Sequence, residues 1–326
     1  MKKIEIFEKA MNEGGSLKDY GINSTLFAAY RDCQETGNDN IDFNGVIWDY
    51  DIPEIVKALK ENGISEFAFL PFEDASKANE RLWEKCSGKM KTCIITLFPY
   101  RTDYTVKDKY VFSGYARTHD YHKRCEQFFN AVIPRLRNEL RHEFEGYADH
   151  SPIGEKSAAA MCGLGVIGRN TLLINKKYGS YIFIASILTD MVLESHPSKP
   201  TYCIDCGRCM QACPGGAISR DGYEFKKCLS YISQKKTKTE DEWDALRKNN
   251  VIWGCDICQD VCPLNSGKAL SRDEYFADHV LDNVTEELIA GMQDEIFQEY
   301  PFSWRKKEVI MQNFKNCSSS VLTKDD

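Results

Sequence analysis

The chain has no apolar run able to cross a bilayer; its longest, Tyr181 to Leu188, falls far short of the ~20 residues that a spanning helix needs. It also lacks an apolar leader, because Met1-Lys2-Lys3-Ile4-Glu5 runs straight into acidic sequence. The expectation is a cytoplasmic protein with no membrane partner. Positive charge is not in excess: 42 Lys and Arg stand against 49 Asp and Glu, a net of -7. That removes the global basic field that drives indiscriminate nucleic-acid binding, so any RNA contact has to be local. A long internal repeat is missing too. What remains is a chain of 326 residues with 42% apolar content, long enough for roughly two domains and rich enough for a core, so disorder is not its main state.

Cysteine is abundant. There are 14, and eight of them fall between residues 203 and 262, a clustering that points to metal rather than to disulfides when no leader is present. Cys203-Ile-Asp-Cys206-Gly-Arg-Cys209-Met-Gln-Ala-Cys213-Pro214 reproduces the C-x2-C-x2-C-x3-C-P run of bacterial two-cluster ferredoxins. Three thiolates on such a turn hold three corners of one cubane, and the fourth points to another. Cys255-Asp-Ile-Cys258-Gln-Asp-Val-Cys262-Pro263 has the matching tail and lacks only a leading cysteine, which Cys228 supplies. The pattern assigns Cys203, Cys206, Cys209 and Cys262 to one 4Fe-4S cluster and Cys213, Cys228, Cys255 and Cys258 to the other. A pair of structural zinc sites is the alternative. The other cysteines, such as Cys33, Cys86, Cys93, Cys125, Cys162 and Cys317, read as buried small hydrophobes. Clusters conduct electrons without making or breaking carbon bonds, so the 200 residues before them should hold a redox cofactor and a substrate.

The chain reads as α+β. Residues 53–60 have helical spacing closed by Gly63, residues 66–70 and 92–98 form strands, and a long helix is expected from about His119 to Glu145. A further helix is expected over residues 155–162, with strands at 172–175 and 181–188 and a last helical stretch at 282–316. Turn signals mark residues 1–50, at Glu13-Gly14-Gly15 and Gly37-Asn38-Asp39-Asn40. Gly163-Leu-Gly165-Val-Ile-Gly168 matches G-x-G-x-x-G, with Asp190 near the distance of a ribose contact. The context is wrong for a dinucleotide, since a helix precedes these glycines and strands follow. They still let a backbone approach a different flat or anionic ligand. Asp149, taken alone, reads as a cap for the helix that follows.

Several segments together resemble the epoxyqueuosine reductases. They are Asp149-x-x-Pro152-x-x-Glu155-Lys156, the stretch from Gly163 to Ile174, Thr189-Asp190, the Cys203 run, Cys228-Leu-Ser-Tyr231 and Trp253-Gly-Cys-Asp-Ile-Cys-Gln259, with Tyr115-Ala-Arg117 and Asp120-Tyr-His122 before the long helix. The resemblance covers roughly residues 52–316. It implies a nitroreductase-like cobalamin-binding core joined to a two-cluster bacterial ferredoxin-like domain, and four segments: 1–51, an N-terminal extension of unknown role; 52–197, the catalytic core; 198–268, the double 4Fe-4S domain; 269–326, a C-terminal helical segment.

The same resemblance implies two 4Fe-4S clusters, cobalamin, an external low-potential electron donor and a tRNA substrate whose epoxyqueuosine is reduced to queuosine. The protein would work as a monomer. Asp149 falls on the family's proton donor, and Tyr115, Gly163, Gly165, Gly168, Asn170, Thr171, Ser230, Tyr231 and Asp256 on cofactor contacts. A reductase of another small molecule, or an electron carrier without its own substrate, are the alternatives. One departure supports them, since the family's Arg-Thr-Asp-Pro loop has no counterpart between Leu70 and Thr92. Lys235, Lys236, Lys238 and Arg305-Lys306-Lys307 could touch RNA or simply face solvent.

Overall fold

A computed structural model describes residues 51–107, 109–195 and 197–318. The readings of residues 1–50 lie outside that range. The strands in chain order are β1 (Phe67–Pro71), β2 (Thr92–Pro99), β3 (Val111–Phe112), β4 (Phe144–Ala148), β5 (Val166–Ile167), β6 (Leu173–Ile174), β7 (Ile182–Thr189) and β8 (Val251–Trp253). The chain divides into two compact units.

The first unit comprises residues 51–97, 127–158 and 184–198 of the described chain. At its centre is a four-stranded sheet of order β1-β2-β7-β4. β1 pairs antiparallel with β2, Leu70 opposite Cys93, and β4 pairs antiparallel with β7, Tyr147 opposite Ser186. The run Thr92-Cys-Ile-Ile-Thr-Leu-Phe is buried at every position, as a central strand covered on both faces requires. Helix Asp51–Glu61 buries Ile55, Ala58 and Leu59 completely. It ends where Gly63 takes a φ of 84° and the Ile64 N–H returns to the Leu59 carbonyl at 3.0 Å.

The long helix runs from Tyr121 to Leu140 and not to Glu145. Phe128, Val132 and Leu136 are fully buried along one face. No stop signal is visible in the sequence because the terminating residue is Arg141, which adopts the left-handed φ of 61° normally left to glycine or asparagine. Residues 144–148 then form β4, a strand that the helical reading had absorbed. Gly146 makes this possible: a Cβ there would stand 2.6 Å from the Phe129 ring, so only glycine lets the helix lie against the strand.

The second unit holds residues 98–126 and 159–183, with 199–318 after them apart from the undescribed positions. It contains the parallel pair β3/β8 and the antiparallel pair β5/β6. All eight clustered cysteines belong to it. Its core gathers Phe112, Ile252, Trp253, Val284, Phe302, Ile310 and Phe314. The C-terminal helix Lys307–Ser318 is therefore part of this core, and its buried Asn313 donates to the carbonyls of Ser233 and Ile252 at 2.8 Å each. The expected single helical stretch over 282–316 is broken into Glu286–Gly291, Asp294–Phe297, a 3-10 turn at Pro301–Trp304, and this last helix. Met292 is extended and Pro301 starts a new turn, which interrupts the helical register.

Candidate redox site

The two cysteine runs fold as short turns in which the thiols fall into two groups. Cys203, Cys206, Cys209 and Cys262 line one small cavity together with Gly168, Arg169 and Asn170. Cys213, Cys228, Cys255 and Cys258 line a second, larger cavity of about 310 Å³. Charge interactions follow the same division: Cys209 feels Cys203, Cys262 and Cys206, whereas Cys255 feels Cys228 and Cys213. Burial pushes the Cys255 and Cys258 thiols up to about 12, and their neighbouring thiols add to it. A ligand that claims these sulfurs must displace their protons, as iron does.

The polar walls of the larger cavity carry an observation about its contents. Asn170 is buried, and its Nδ2 donor finds no hydrogen-bond partner in the protein at full geometry. The same side chain acts on Cys258, favouring the thiolate. An amide donor held over a cysteine sulfur suits a cluster ligand, whose charge and potential such donors adjust. Gly168 sets this up, because a Cβ there would collide with Asn170 Oδ1 at 2.2 Å.

Of the residues singled out in the sequence, Tyr115, Asn170, Thr171, Ser230 and Asp256 line the larger cavity. The Tyr115 hydroxyl accepts a hydrogen bond from Trp253 Nε1 at 3.1 Å, which fixes the ring. Asp256 is committed to the protein: Ser113 Oγ and the Gly114 N–H donate to its two oxygens at 2.6 Å, and Gln259 Nε2 donates at 2.9 Å. Gly163, Gly165 and Gly168 are not brought to this cavity. Gly165 instead packs on the Ile174 carbonyl, where a Cβ would approach to 2.7 Å. Tyr231 is 42% exposed and packs edge-on against Phe225.

The structure adds residues that sequence reasoning missed. Tyr100, Ser180 and Phe183 come from the end of β2 and the start of β7, and Tyr223 from the segment between the cysteine runs; all four line the cavity. Burial holds the Tyr100 phenol well above its ordinary value, so it stays a neutral donor. Ser180 Oγ donates to Gln259 Oε1 at 2.8 Å, and Asn265 Nδ2 donates to Ser180 Oγ at 2.8 Å. With Asp256 this makes a continuous polar chain under the Cys258 turn. Only the position of these residues at strand ends could have pointed to them.

The expected acid, Asp149, is an exposed residue of the first unit, on the turn after β4, with a φ of 59°. Most of the basic residues considered for RNA are engaged internally. Lys235 pairs with Glu242, Lys238 is buried over the Trp243 ring at 4.5 Å, and Arg305 lies over Trp304 while donating to the Gln234 carbonyl. Among the described residues no helix is long and apolar enough to cross a membrane.

Residues 202–265 match the family profile described as a 4Fe-4S double cluster binding domain, and residues 25–91 match one described only as a domain of unknown function. The epoxyqueuosine reductase of Leadbetterella byssophila is 28% identical over 286 residues, covering 85% of this chain and 92% of the relative. That of Pseudomonas aeruginosa is 34% identical over 181 residues, 54% of this chain and 50% of the relative. The solved epoxyqueuosine reductase from Streptococcus thermophilus superposes with a TM-score of 0.69 at 23% identity, covering 84% of this chain and 82% of that one. A structure of epoxyqueuosine reductase with an epoxyqueuosine-modified tRNA-Tyr stem loop gives 0.69 at 21% identity, covering 82% and 81%. The chain thus resembles the epoxyqueuosine reductases over most of its length and shares their fold.

Proposed function

We propose that this protein is an iron-sulfur, cobalamin-dependent reductase that converts epoxyqueuosine to queuosine in tRNA. The observation that carries the reading is the larger cavity, lined by four thiols of a double-cluster segment together with Tyr115, Asn170, Thr171 and Ser230. Removing the epoxide oxygen as water and leaving a double bond takes two electrons and two protons, so the site has to join an electron route to an acid.

The electron route is the pair of 4Fe-4S clusters. Cys203, Cys206, Cys209 and Cys262 would hold the first, and Cys213, Cys228, Cys255 and Cys258 the second, at the cavity wall. Cobalamin, when bound, supplies the low-potential chemistry that opens the epoxide. Tyr115, held by Trp253, and the Asn170–Thr171 loop with Ser230 would hold it, all from rigid positions. The neutral Tyr100 phenol and the Ser180 hydroxyl supply polar contacts in the same wall. Asp149 gives a proton to the departing oxygen, which would otherwise leave as a poor alkoxide at neutral pH. An external low-potential donor feeds the first cluster, and the protein acts as a monomer on cytoplasmic tRNA.

The test combines anaerobically purified protein, cobalamin, a strong reductant and epoxyqueuosine-containing tRNA. Epoxyqueuosine should disappear with the wild type. In Asp149→Asn the rate should fall by about 10²–10⁴-fold, the usual worth of a positioned acid, with iron and sulfide content unchanged. Clusters that assemble without corrinoid uptake would make the protein an electron carrier, and corrinoid uptake without epoxyqueuosine loss would make it a reductase of another molecule.

A further inference from the structure

The two cavities belong to the redox site. A second group of polar side chains, in the first unit, lines neither of them. It sits where the chain leaves β4 and turns into helix Glu155–Met161. Asp149 occupies this turn in the left-handed region, which costs any residue with a Cβ some strain, though aspartate less than most. Its main-chain N–H is directed to the Glu155 carboxyl. Ser186 Oγ, on β7, donates to Glu155 Oε1 at 3.1 Å, and the Ser151 hydroxyl also favours the ionised carboxyl. The two hydroxyls stand 3.4 Å apart, and Ser151 Oγ also accepts the Ile153 N–H at 3.3 Å. Ser186 is fully buried and Ser151 nearly so. The outer side of the turn is fixed as well: the Ala78 N–H donates to the Pro152 carbonyl at 2.9 Å, and the Gly154 N–H to the Ser76 carbonyl at 2.7 Å.

We propose that Glu155 is a positioning residue for Asp149, its carboxyl clamping the left-handed turn from inside and so fixing the direction in which the Asp149 carboxyl is presented. This rests on the reading of Asp149 as the acid. One side chain, Glu155, collects a main-chain N–H from the turn and a hydroxyl from the sheet, which ties an exposed residue in a strained backbone conformation to the buried side of the fold. Burial pushes the Glu155 carboxyl up to about 8, the Asp149 charge adds to this, and the Ser186 and Ser151 hydroxyls oppose it. The clamp is therefore neutral at pH 7. A neutral clamp adds no like charge beside the acid, and glutamine imitates it.

The sign of the linked stability follows. The folded value lies above the ordinary 4.5, so this contribution is fully present below about pH 4.5 and is lost as pH rises toward about 8.

The experiment uses the full chain with its clusters, as wild type, Glu155→Gln and Glu155→Ala. Hydrogen exchange of the Asp149 amide, melting temperature against pH, and epoxyqueuosine turnover are measured on each. Glu155→Ala should speed exchange of that amide at least about tenfold and lower kcat with little change in KM for tRNA. Glu155→Gln should restore both at pH 7 and flatten the fall in melting temperature between pH 5 and pH 8. Unchanged exchange in Glu155→Ala, or equal damage from Gln and Ala at pH 7, overturns the proposal. If exchange and rescue behave as stated while Asp149→Asn keeps full turnover, the clamp stands and the acid assignment falls.

Discussion

Cys206 sits exposed on a turn beside Asp205 and Arg169, whereas Cys255 and Cys258 sit on a turn that a buried polar chain ties from beneath. Next to the first turn, Tyr202 and Ile204 are 71% and 66% exposed. Next to the second, Asp256, Gln259, Ser180 and Asn265 exchange hydrogen bonds with one another or with neighbouring backbone. The spacing of cysteines is nearly the same in both runs, so spacing determines what is ligated and the surroundings determine what the cluster does. An exposed cluster can receive electrons from a partner. One buried against a cavity can deliver them.

The largest expected effect comes from breaking the delivering side. Cys258→Ala should reduce iron from about eight to about four atoms per chain, as loss of one cubane requires, and should abolish epoxyqueuosine turnover. Cys206→Ala, on the receiving side, should leave the second cluster detectable by electron paramagnetic resonance while slowing its reduction by a protein donor. Equal loss of both clusters in each variant would show that the two turns fold as one unit and would end the distinction.

Next in size is the brace. Asp256→Ala strands the Ser113 hydroxyl, the Gly114 N–H and one Gln259 donor, and hydrogen bonds to a carboxylate are worth about 1.5–3 kcal/mol each. A stability loss of about 3 kcal/mol is expected, read by denaturant unfolding of the holo-protein, together with weaker corrinoid binding because Ser113 and Gly114, which precede Tyr115, lose their anchor. If corrinoid affinity falls with no loss of stability, Asp256 touches the cofactor directly and the brace is incidental.

The comparison also shows what could be read in the sequence. The cysteine runs were legible because ligation imposes a local spacing, and Asn170 and Thr171 were legible as part of a motif. Tyr100, Ser180 and Tyr223 were not: the first two meet because the end of β2 and the start of β7 lie side by side in the folded chain, and Tyr223 joins them from the segment between the cysteine runs. Strand β4 was hidden for a different reason. An arginine in a left-handed conformation ended the helix where no glycine marked the stop, and the room that Gly146 leaves for Phe129 shows only in the folded chain. Glu155 was legible only as a position of the Asp149-x-x-Pro152-x-x-Glu155-Lys156 motif, and nothing in that motif showed it as a clamp. Its partner Ser186 lies on the neighbouring strand.

The smallest expected effect separates the clusters electrostatically. Arg169 grips Asp205 through two hydrogen bonds, one of 2.7 Å, and its cation also acts on the thiols of Cys203 and Cys209. Asp205→Asn therefore leaves an uncompensated positive charge beside the first group and none beside the second. The midpoint potential of the first cluster should rise by on the order of 20 mV, the Coulomb effect of a unit charge acting through water over roughly 8 Å. The second should not move. Because Asp205 and Arg169 face solvent, the shift should shrink at high salt. A potentiometric titration monitored by electron paramagnetic resonance resolves this. If both clusters moved together, or the shift ignored salt, the exposed and buried surroundings would not be electrically distinct, and the assignment of a receiving and a delivering cluster would lose its physical basis.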